Sequence, residues 1–256
     1  MTELTHPTFA DLHRPGAPLV LPNAWDHASA AALVAAGFPA IGTTSLGVAA
    51  ALGTPDGAGG TPEATLSLAH RLAHLPAAIT VDIEHGFYDD PEAVAGYVAR
   101  LGGVAGVNIE DGLGDPARHA AKVACIKART PGLFVNVRTD TYWLGRPSLE
   151  QTLERASVYV EAGADGVFVP GVTAADEIAT LARELPVPLN VLFAPGKLSV
   201  AELAELGVAR ISTGSLLFRV ALGAALEAAT AVRDGETLDD HRAPSYAEVD
   251  SLAVPR

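Results

Sequence analysis

The sequence predicts an α/β protein built as a single (β/α)8 TIM barrel, and three observations support this class. The chain has 256 residues, close to the roughly 250 residues that are typical of this barrel. Eight short apolar runs alternate with eight longer segments of helical spacing, which is the pattern of repeated βα units around a parallel sheet. No change of composition marks a linker. We therefore predict one domain over residues 1–256, with a doubly wound open sheet as the alternative.

The eight predicted strands are apolar runs, and most of them end in polar residues. Because all strands of such a barrel run in the same direction, their C-terminal residues meet at one end of the barrel. The runs lie at 19–25 (LVLPNAW), 40–45 (AIGTTS), 78–84 (AITVDIE), 105–110 (AGVNIE), 133–138 (LFVNVR), 166–170 (GVFVP), 188–193 (PLNVLF) and 209–213 (ARIST).

A predicted helix follows each strand. The first stops at Gly37, and the second begins at a Thr-Pro signal and ends before Pro76, as helix boundaries usually do. The barrel should occupy about 17–235, and the polar segment 236–256 is predicted to be an irregular tail that packs on a neighbouring subunit. The helical segments are 27–37, 61–76, 91–103, 116–128, 148–163, 173–186, 199–207 and 215–235.

Composition excludes several classes of function. The net charge of −13 opposes binding to nucleic acid, which depends on cationic contacts to phosphate, and to anionic membranes. Cys125 is the single cysteine, so the chain cannot form an internal disulfide, and a reducing compartment fits best. We expect a cytoplasmic protein without a membrane anchor, because the sequence shows neither a signal-type start nor a long apolar span.

Acidic residues end two neighbouring predicted strands, and an arginine ends the next. Asp82 and Glu84 lie two residues apart, and such residues share a face in a strand. Glu110 ends the following strand and Arg138 the one after it. Active sites of this barrel lie at these strand ends, and such a pocket suits Mg²⁺, which takes one or two carboxylates and leaves positions for substrate oxygens. Helix capping is the competing explanation, and we weigh it most heavily for Asp111 and Asp140.

Other polar residues carry weaker signals. Arg138 needs an anionic partner, either a substrate carboxylate or Glu110, and its planar fork matches a carboxylate. His85 and His119 could act in acid-base chemistry, but a surface or hydrogen-bonded role fits such isolated histidines better. Cys125 has helical spacing within 116–128 and is predicted to be a buried, inert thiol. No GxGxxG, P-loop, GxSxG or HExxH motif occurs.

Several motifs together resemble the isocitrate lyase and phosphoenolpyruvate mutase superfamily. They are TTSLG at 43–47, PDG at 55–57, VDIEHGF at 81–87, VNIEDG at 107–112, VRTD at 137–140 and LNVL at 189–192. The resemblance spans nearly the whole chain and rests on the order of the motifs. It implies a TIM barrel with Mg²⁺ (or Mn²⁺) in its mouth. It also implies a homo-oligomer, either a dimer or a tetramer built from dimers that exchange the C-terminal helix.

The resemblance also implies roles for individual residues. Asp82 matches the carboxylate nearest the metal, while Glu84, Glu110 and Asp56 match groups that hold the metal through water. A substrate carboxylate would contact Thr44, Ser45 and Leu46, and Arg138 would contact the other substrate oxygens. Asn190, in the LNVL motif, is also expected to bind substrate. The expected catalytic residues are Arg138, Asp56 and Glu110.

One departure from the family pattern bears on the reaction. Carbon-carbon lyases of the family carry a Lys-Lys/Arg-Cys-Gly-His loop after the strand of the VNIEDG motif, whereas this chain has DGLGDPARHAA at 111–121. We therefore expect a Mg²⁺-dependent carbon-carbon lyase or decarboxylase for a small 2-oxo or 2-hydroxy dicarboxylic acid, such as oxaloacetate, acting through an enolate. The alternatives are phosphoenolpyruvate mutase or phosphonopyruvate hydrolase chemistry, and a non-catalytic barrel that binds a carboxylate.

Overall fold

The computed structural model describes residues 8–237 and 243–253. Its strands are β1 (Leu19–Leu21), β2 (Asn23–Ala24), β3 (Ala40–Thr43), β4 (Ala78–Asp82), β5 (Gly106–Glu110), β6 (Phe134–Arg138), β7 (Gly166–Val169), β8 (Leu189–Leu192) and β9 (Arg210–Ser212). Within those ranges the nine strands form one parallel sheet in the order β1-β9-β8-β7-β6-β5-β4-β3-β2. The sheet is a nearly closed barrel surrounded by helices, which confirms the predicted TIM-like fold.

Pro22 divides the first predicted strand in two. Proline has no backbone N–H to donate and therefore interrupts a ladder of hydrogen bonds. On one side of Pro22, β1 pairs with β9, and on the other side β2 pairs with β3. The count is nine rather than the predicted eight because one strand is split, and its two halves bring the opposite edges of the sheet together.

The core lies between the barrel and the inner faces of the helices. Strand residues such as Val81, Val107 and Val167 are completely buried there. A smaller cluster covers the N-terminal ends of the strands, where the His13 ring stacks on Phe134 with 4.4 Å between ring centroids. This end of the barrel is filled with side chains, so the opposite end is the one that can hold a pocket.

Helices follow the strands as predicted, and side chains cap several of them. Asp26 accepts a hydrogen bond from the Ser29 amide, and Asp90 and Asp115 cap later helices in the same way, as expected for acidic residues in βα loops. The helices are α1 (His27–Ala35), α2 (Ser45–Ala51), α3 (Pro62–Leu72), α4 (Pro91–Arg100), α5 (Pro116–Arg129), α6 (Leu149–Glu161), α7 (Ala175–Glu184), α8 (Val200–Glu205), α9 (Leu216–Asp234) and α10 (Tyr246–Asp250).

Two helices were not predicted. Helix α2 has seven residues and begins directly at the end of β3, so it is too short to show a helical period. Helix α10 lies within the tail, and the prediction of an irregular tail is wrong for this segment, where Ser245 and Glu248 form a capping box. The tail returns to α1, since His27 Nε2 lies 3.0 Å from the carbonyl oxygen of Leu252.

Helix α9 contains no buried residue. Val220, Leu222 and Leu226 on this helix are 60%, 61% and 68% exposed, which is unusual for three large apolar side chains on one helix. Among the described helices, none is both long enough and apolar enough to cross a lipid bilayer.

Candidate active site

A pocket of about 530 Å³, counting its open mouth, lies at the C-terminal ends of the strands. Active sites of TIM barrels are found at this end. Six of the predicted site residues line the pocket: Thr44, Ser45, Leu46, Asp56, Asp82 and Arg138. The other lining residues are Asn23, Asn108, Trp143, Phe168, Pro170, Leu192, Ser212, Gly214 and Ser215.

Asp82 is the last residue of β4 and is held in place by its backbone neighbours. Its amide donates to Thr43 Oγ1 at 2.9 Å, and its Oδ1 accepts the amide of Glu84 at 3.1 Å. Burial raises the pKa of Asp82, and Asp56 adds to this effect, whereas the Arg138 guanidinium opposes it. A second positive charge in the pocket would therefore favour the ionised form of Asp82.

Glu84 does not share the pocket face with Asp82. Strand β4 ends at Asp82, and Glu84 has a φ of 50°, so the alternation of side chains in a strand does not extend to it. Its buried carboxylate accepts hydrogen bonds from the Gly59 amide at 2.9 Å and the Thr61 hydroxyl at 2.8 Å. The argument that paired these two carboxylates on one strand face is wrong, and Glu84 fixes the loop that carries Asp56.

Arg138 ends β6 between two carboxylates. Its Nη1 lies 2.7 Å from Glu110 Oε2, and its Nε donates to Asp140 Oδ1. Burial raises the pKa of Glu110, an effect that Arg138 opposes. Glu110, one of the two partners expected for Arg138, is therefore in direct contact with it, and its carboxylate is engaged at the edge of the pocket rather than lining it.

One wall of the pocket is apolar. Trp143 lies over Arg138, with its ring centroid 5.6 Å from the guanidinium carbon, a favourable cation–π distance. Phe168, Pro170 and Leu192 continue the same wall. The sequence did not predict these residues. Phe168 and Leu192 lie in strands, where an apolar residue gives no sign that it lines a pocket, and Trp143 and Pro170 lie in loops.

Asn190 lies below the lining rather than in it. It is 1% exposed, and its Oδ1 accepts a hydrogen bond from Ser212 Oγ at 3.3 Å. Its Nδ2 has no acceptor among the described residues. Asn190 therefore belongs to a buried polar layer beneath the pocket.

The two histidines lie in a different cavity, behind Glu110. His85 and His119 line it together with Lys122, whose Nζ donates to the backbone oxygen of His85 at 2.9 Å. Burial lowers the pKa of His119 to about 4, so this ring is neutral at pH 7. Neither histidine is among the residues that line the main pocket.

Cys125 lies outside both cavities, between α4 and α5. Its thiol is half-buried and lies 3.5 Å from Glu92 Oε1. The prediction of a buried thiol is wrong, because this face of α5 is only partly covered by α4. Burial, with help from Glu92, raises the pKa of the thiol, which keeps it protonated and weakly nucleophilic.

Comparison with known proteins gives matches over most of the chain. The family model described as phosphoenolpyruvate phosphomutase matches residues 9–233. An uncharacterized protein of Mycobacterium tuberculosis is 52% identical over 252 residues, which cover 96% of each chain. The phosphoenolpyruvate phosphomutase of Streptomyces hygroscopicus is 30% identical over 246 residues, covering 87% of this chain and 78% of the relative. An oxaloacetate decarboxylase of Bradyrhizobium is 31% identical over 184 residues, covering 64% and 62%.

Solved structures share the fold. A Burkholderia cenocepacia J2315 protein, provisionally described as a lyase/mutase, superposes with a TM-score of 0.86 at 36% identity, covering 97% of this chain and 95% of the other. A phosphonopyruvate hydrolase solved with oxalate and Mg²⁺ gives a TM-score of 0.81 at 23% identity, covering 95% and 92%. At that lower identity the likeness concerns the fold alone.

Proposed function

The chain belongs to the phosphoenolpyruvate phosphomutase family, whose members are lyases and mutases, and from that premise we propose that it is a metal-dependent carbon-carbon lyase or decarboxylase. Its substrate is a small 2-oxo or 2-hydroxy dicarboxylic acid of the oxaloacetate type. One observation carries the proposal: Asp82, Asp56 and Arg138 line a single pocket with the start of α2. That combination can hold a cation and an α-oxo acid side by side.

A divalent cation fits the acidic side of the pocket. Mg²⁺ is usually bound by one or two carboxylates, with waters and substrate oxygens at its other positions. Two carboxylates, Asp82 and Asp56, line the pocket together, and this number suits that mode. Within residues 8–237 and 243–253 no group of three or more His, Cys, Asp or Glu side chains that could hold a metal occurs. We propose Asp82 as the direct ligand of Mg²⁺ or Mn²⁺, with Asp56 and Glu110 acting through water. Glu84, whose carboxylate is bound by Gly59 and Thr61, would support the loop that carries Asp56 instead of contacting the metal. A bound cation would supply the charge that stabilises an enolate oxygen.

The chain's own residues would hold and polarise the substrate. Thr44 is the N-cap of α2, and Ser45 and Leu46 are its first helical residues, where backbone N–H groups lack intrahelical acceptors. These groups suit the substrate carboxylate. Arg138, held by Glu110 and Asp140, would contact the remaining substrate oxygens.

Decarboxylation suits this pocket better than cysteine-assisted cleavage. The pocket lining contains no thiol, and Cys125 lies outside it. In decarboxylation the bond between C3 and the leaving carboxylate breaks, CO₂ departs, and the bonding electrons remain in the enolate, which then takes a proton from water. The apolar wall at Phe168, Pro170 and Leu192 would exclude water from the leaving carboxylate and so favour release of neutral CO₂.

Phosphorus chemistry is the second candidate, because the matching family model and the Streptomyces relative are both phosphoenolpyruvate phosphomutases. An enzyme of this kind would interconvert phosphoenolpyruvate and phosphonopyruvate, or hydrolyse the latter. The same metal and carboxylate contacts would serve either reaction. Turnover of phosphonopyruvate without turnover of any diacid would place this candidate first.

We also propose that a second copy of the chain covers α9. The exposed side chains of Val220, Leu222, Leu226 and Val232 on this helix would be buried by exchange of the helix between subunits, as the family resemblance implies. Size-exclusion chromatography with light scattering should give the molar mass of a dimer or a tetramer. A monomer at micromolar concentration would contradict this assignment.

The activity is tested by a substrate screen with Mg²⁺ or Mn²⁺. Oxaloacetate and other 2-oxo and 2-hydroxy diacids, together with phosphonopyruvate, are assayed for release of pyruvate or glyoxylate, and phosphonopyruvate also for conversion to phosphoenolpyruvate. Asp82→Ala is the matched control. Pyruvate release from oxaloacetate by the wild type, lost in the variant, supports the proposal. Oxalate binding without turnover of any diacid or of phosphonopyruvate would instead indicate a non-catalytic carboxylate-binding barrel.

A further inference from the structure

The guanidinium of Arg210 is buried inside the barrel, beneath the pocket. Arg210, on β9, is 0% exposed, and burial lowers its pKa to about 9. A charge buried this deeply is costly unless it is well compensated. Among the described residues no carboxylate forms a salt bridge with it within 4.0 Å, and the more distant Asp82 charge only partly opposes the effect of burial on its pKa. Its position therefore calls for an explanation other than fold stability.

Arg210 and Asn136 together fix the orientation of Asn108. Arg210 Nη2 donates to Asn108 Oδ1 at 3.1 Å, and Asn136 Nδ2 donates to the same oxygen at 3.0 Å. A guanidinium has no acceptor, so the atom of Asn108 that faces it must be the oxygen. Chemistry alone thus settles which way this amide points. Its NH₂ group lies on the other side, and Asn108 lines the pocket.

The sheet register places this NH₂ group beside the acidic part of the pocket. Asp82 pairs with Asn108 across β4 and β5, and Asn108 pairs with Asn136 across β5 and β6. The next position is Gly166, where a Cβ would lie 2.9 Å from Asn136 Oδ1. The glycine therefore leaves the space in which Asn136 adopts its orientation.

Asn23, another asparagine of the pocket lining, provides a contrast. Its Nδ2 donates to the Thr43 backbone oxygen at 2.8 Å, and its Oδ1 accepts the amides of Thr213 and Gly214 at 3.0 and 2.8 Å. Its amide is already engaged within the protein. Asn108 Nδ2, by comparison, makes no hydrogen bond to any residue that the structure describes.

The layer below Asn108 has more donors than acceptors. Arg210 Nε and Nη1 and Asn190 Nδ2 are buried without an acceptor in the described part of the chain. Together with the guanidinium charge, these donors place beneath the pocket several N–H groups that have no acceptor among the described residues. Preorganised donors of this kind stabilise negative charge on a ligand placed above them.

We propose that Asn108 is a ligand-binding residue whose NH₂ group donates to a negatively charged oxygen of the bound 2-oxo acid, and that Arg210 and Asn136 are the residues that position it. The ligand class rests on the proposed function. The donor itself follows from the fixed amide orientation, and it provides a contact on the pocket floor separate from Arg138 and from the metal.

The test measures oxalate binding by titration calorimetry in the presence of Mg²⁺, with thermal melting of each variant. Asn108→Ala should melt as a folded protein and bind oxalate about tenfold more weakly or worse, because it loses a hydrogen bond to a charged group. Wild-type affinity in a folded Asn108→Ala protein would overturn the inference alone. No oxalate binding by the wild type would overturn the inference together with the proposed function.

The positioning role is tested by a double-mutant cycle. Arg210→Met should weaken oxalate binding clearly more when Asn108 is present than in the Asn108→Ala background, since the part of its effect that passes through the Asn108 contact has already been lost there. Arg210→Lys, which can still donate to Asn108 Oδ1, should restore part of the affinity. Additive losses from Arg210→Met and Asn108→Ala would overturn the positioning role. If Arg210→Met does not fold, the same cycle is run with Asn136→Ala.

Discussion

Replacement of Arg138 by lysine tests how much of the site depends on a planar guanidinium rather than on positive charge. Arg138 contacts Glu110 through Nη1 at 2.7 Å and Asp140 through Nε. A lysine ammonium is a single point of charge and cannot keep both contacts in the same geometry. The Asp140 side chain, which is 2% exposed, would then lose a charge-assisted hydrogen bond that it cannot replace with water.

The size of the effect follows from that loss. A hydrogen bond to a charged group contributes about 1.5–3 kcal/mol, and for a chain of this length 1 kcal/mol corresponds to about 2–4 °C in Tm. Arg138→Lys should therefore lower the Tm by roughly 3–12 °C. The kcat/KM on the substrate found in the screen should fall by about tenfold or more, which corresponds to about 1.4 kcal/mol.

Thermal melting and steady-state kinetics are measured on the same preparations. Arg183→Lys is the matched control, because Arg183 is 65% exposed and, among the residues that the structure describes, pairs only with its neighbour Glu184. Both the Tm and kcat/KM should therefore stay at wild type. A lower Tm with unchanged kinetics would make Arg138 a structural ion-pair residue. Wild-type values for both quantities would refute the reasoning about the guanidinium fork.

Three further predictions follow from the site and its surroundings. Asp82→Ala should fold but lose the rise in Tm that Mg²⁺ causes in the wild type. At a Mg²⁺ concentration of 100 times Kd this rise corresponds to about 2.7 kcal/mol. Unchanged Mg²⁺ binding by the variant in the presence of oxalate, measured by calorimetry, would contradict the ligand assignment. Burial lowers the pKa of His13 to about 4, so below pH 6.5 the unfolded chain binds a proton that the folded chain does not. The free energy of unfolding should therefore fall by up to about 3 kcal/mol between pH 6.5 and pH 4. Urea unfolding of His13→Leu at the same two pH values should show a smaller fall, and an equal fall would show that His13 is not responsible. Cys125→Ala should change kcat little and stability by no more than about 1 kcal/mol, whereas lost turnover in a folded variant would restore a thiol to the mechanism.

The fold was predictable because strand and helix periods repeat eight times. Two details escaped for physical reasons. The run at 19–25 is apolar except for Asn23, so its composition alone predicts one strand. The break at Pro22 shows only in the pairing, since β1 pairs with β9 and β2 pairs with β3. Helix α2, with seven residues, is shorter than two full turns, so no hydrophobic stripe can develop along it.

The site was predictable where a charged residue ends a strand and less so elsewhere. Asp82 and Arg138 were found because charge is unexpected at the end of an apolar run. Glu84 was misjudged, because a φ of 50° depends on the turn at Gly86 and not on the residue type. Trp143 lies in a loop and has no distinctive sequence signal. Asn108 shows in the sequence only as a polar residue near a strand end, and its amide orientation is set by Arg210 and Asn136, which are distant in the chain.

The split strand at Pro22 also determines when the barrel can be completed during synthesis. Asn23 accepts the Thr213 amide across a separation of 190 residues, and β1 pairs only with β9 in the sheet. Contacts between residues so far apart close a long loop and slow folding. A growing chain that has reached β8 therefore has both edges of the sheet open, and the strand that closes them is the one that carries Arg210. Closure of the barrel and assembly of the pocket floor become a single late event, so a chain truncated before β9 would lack both.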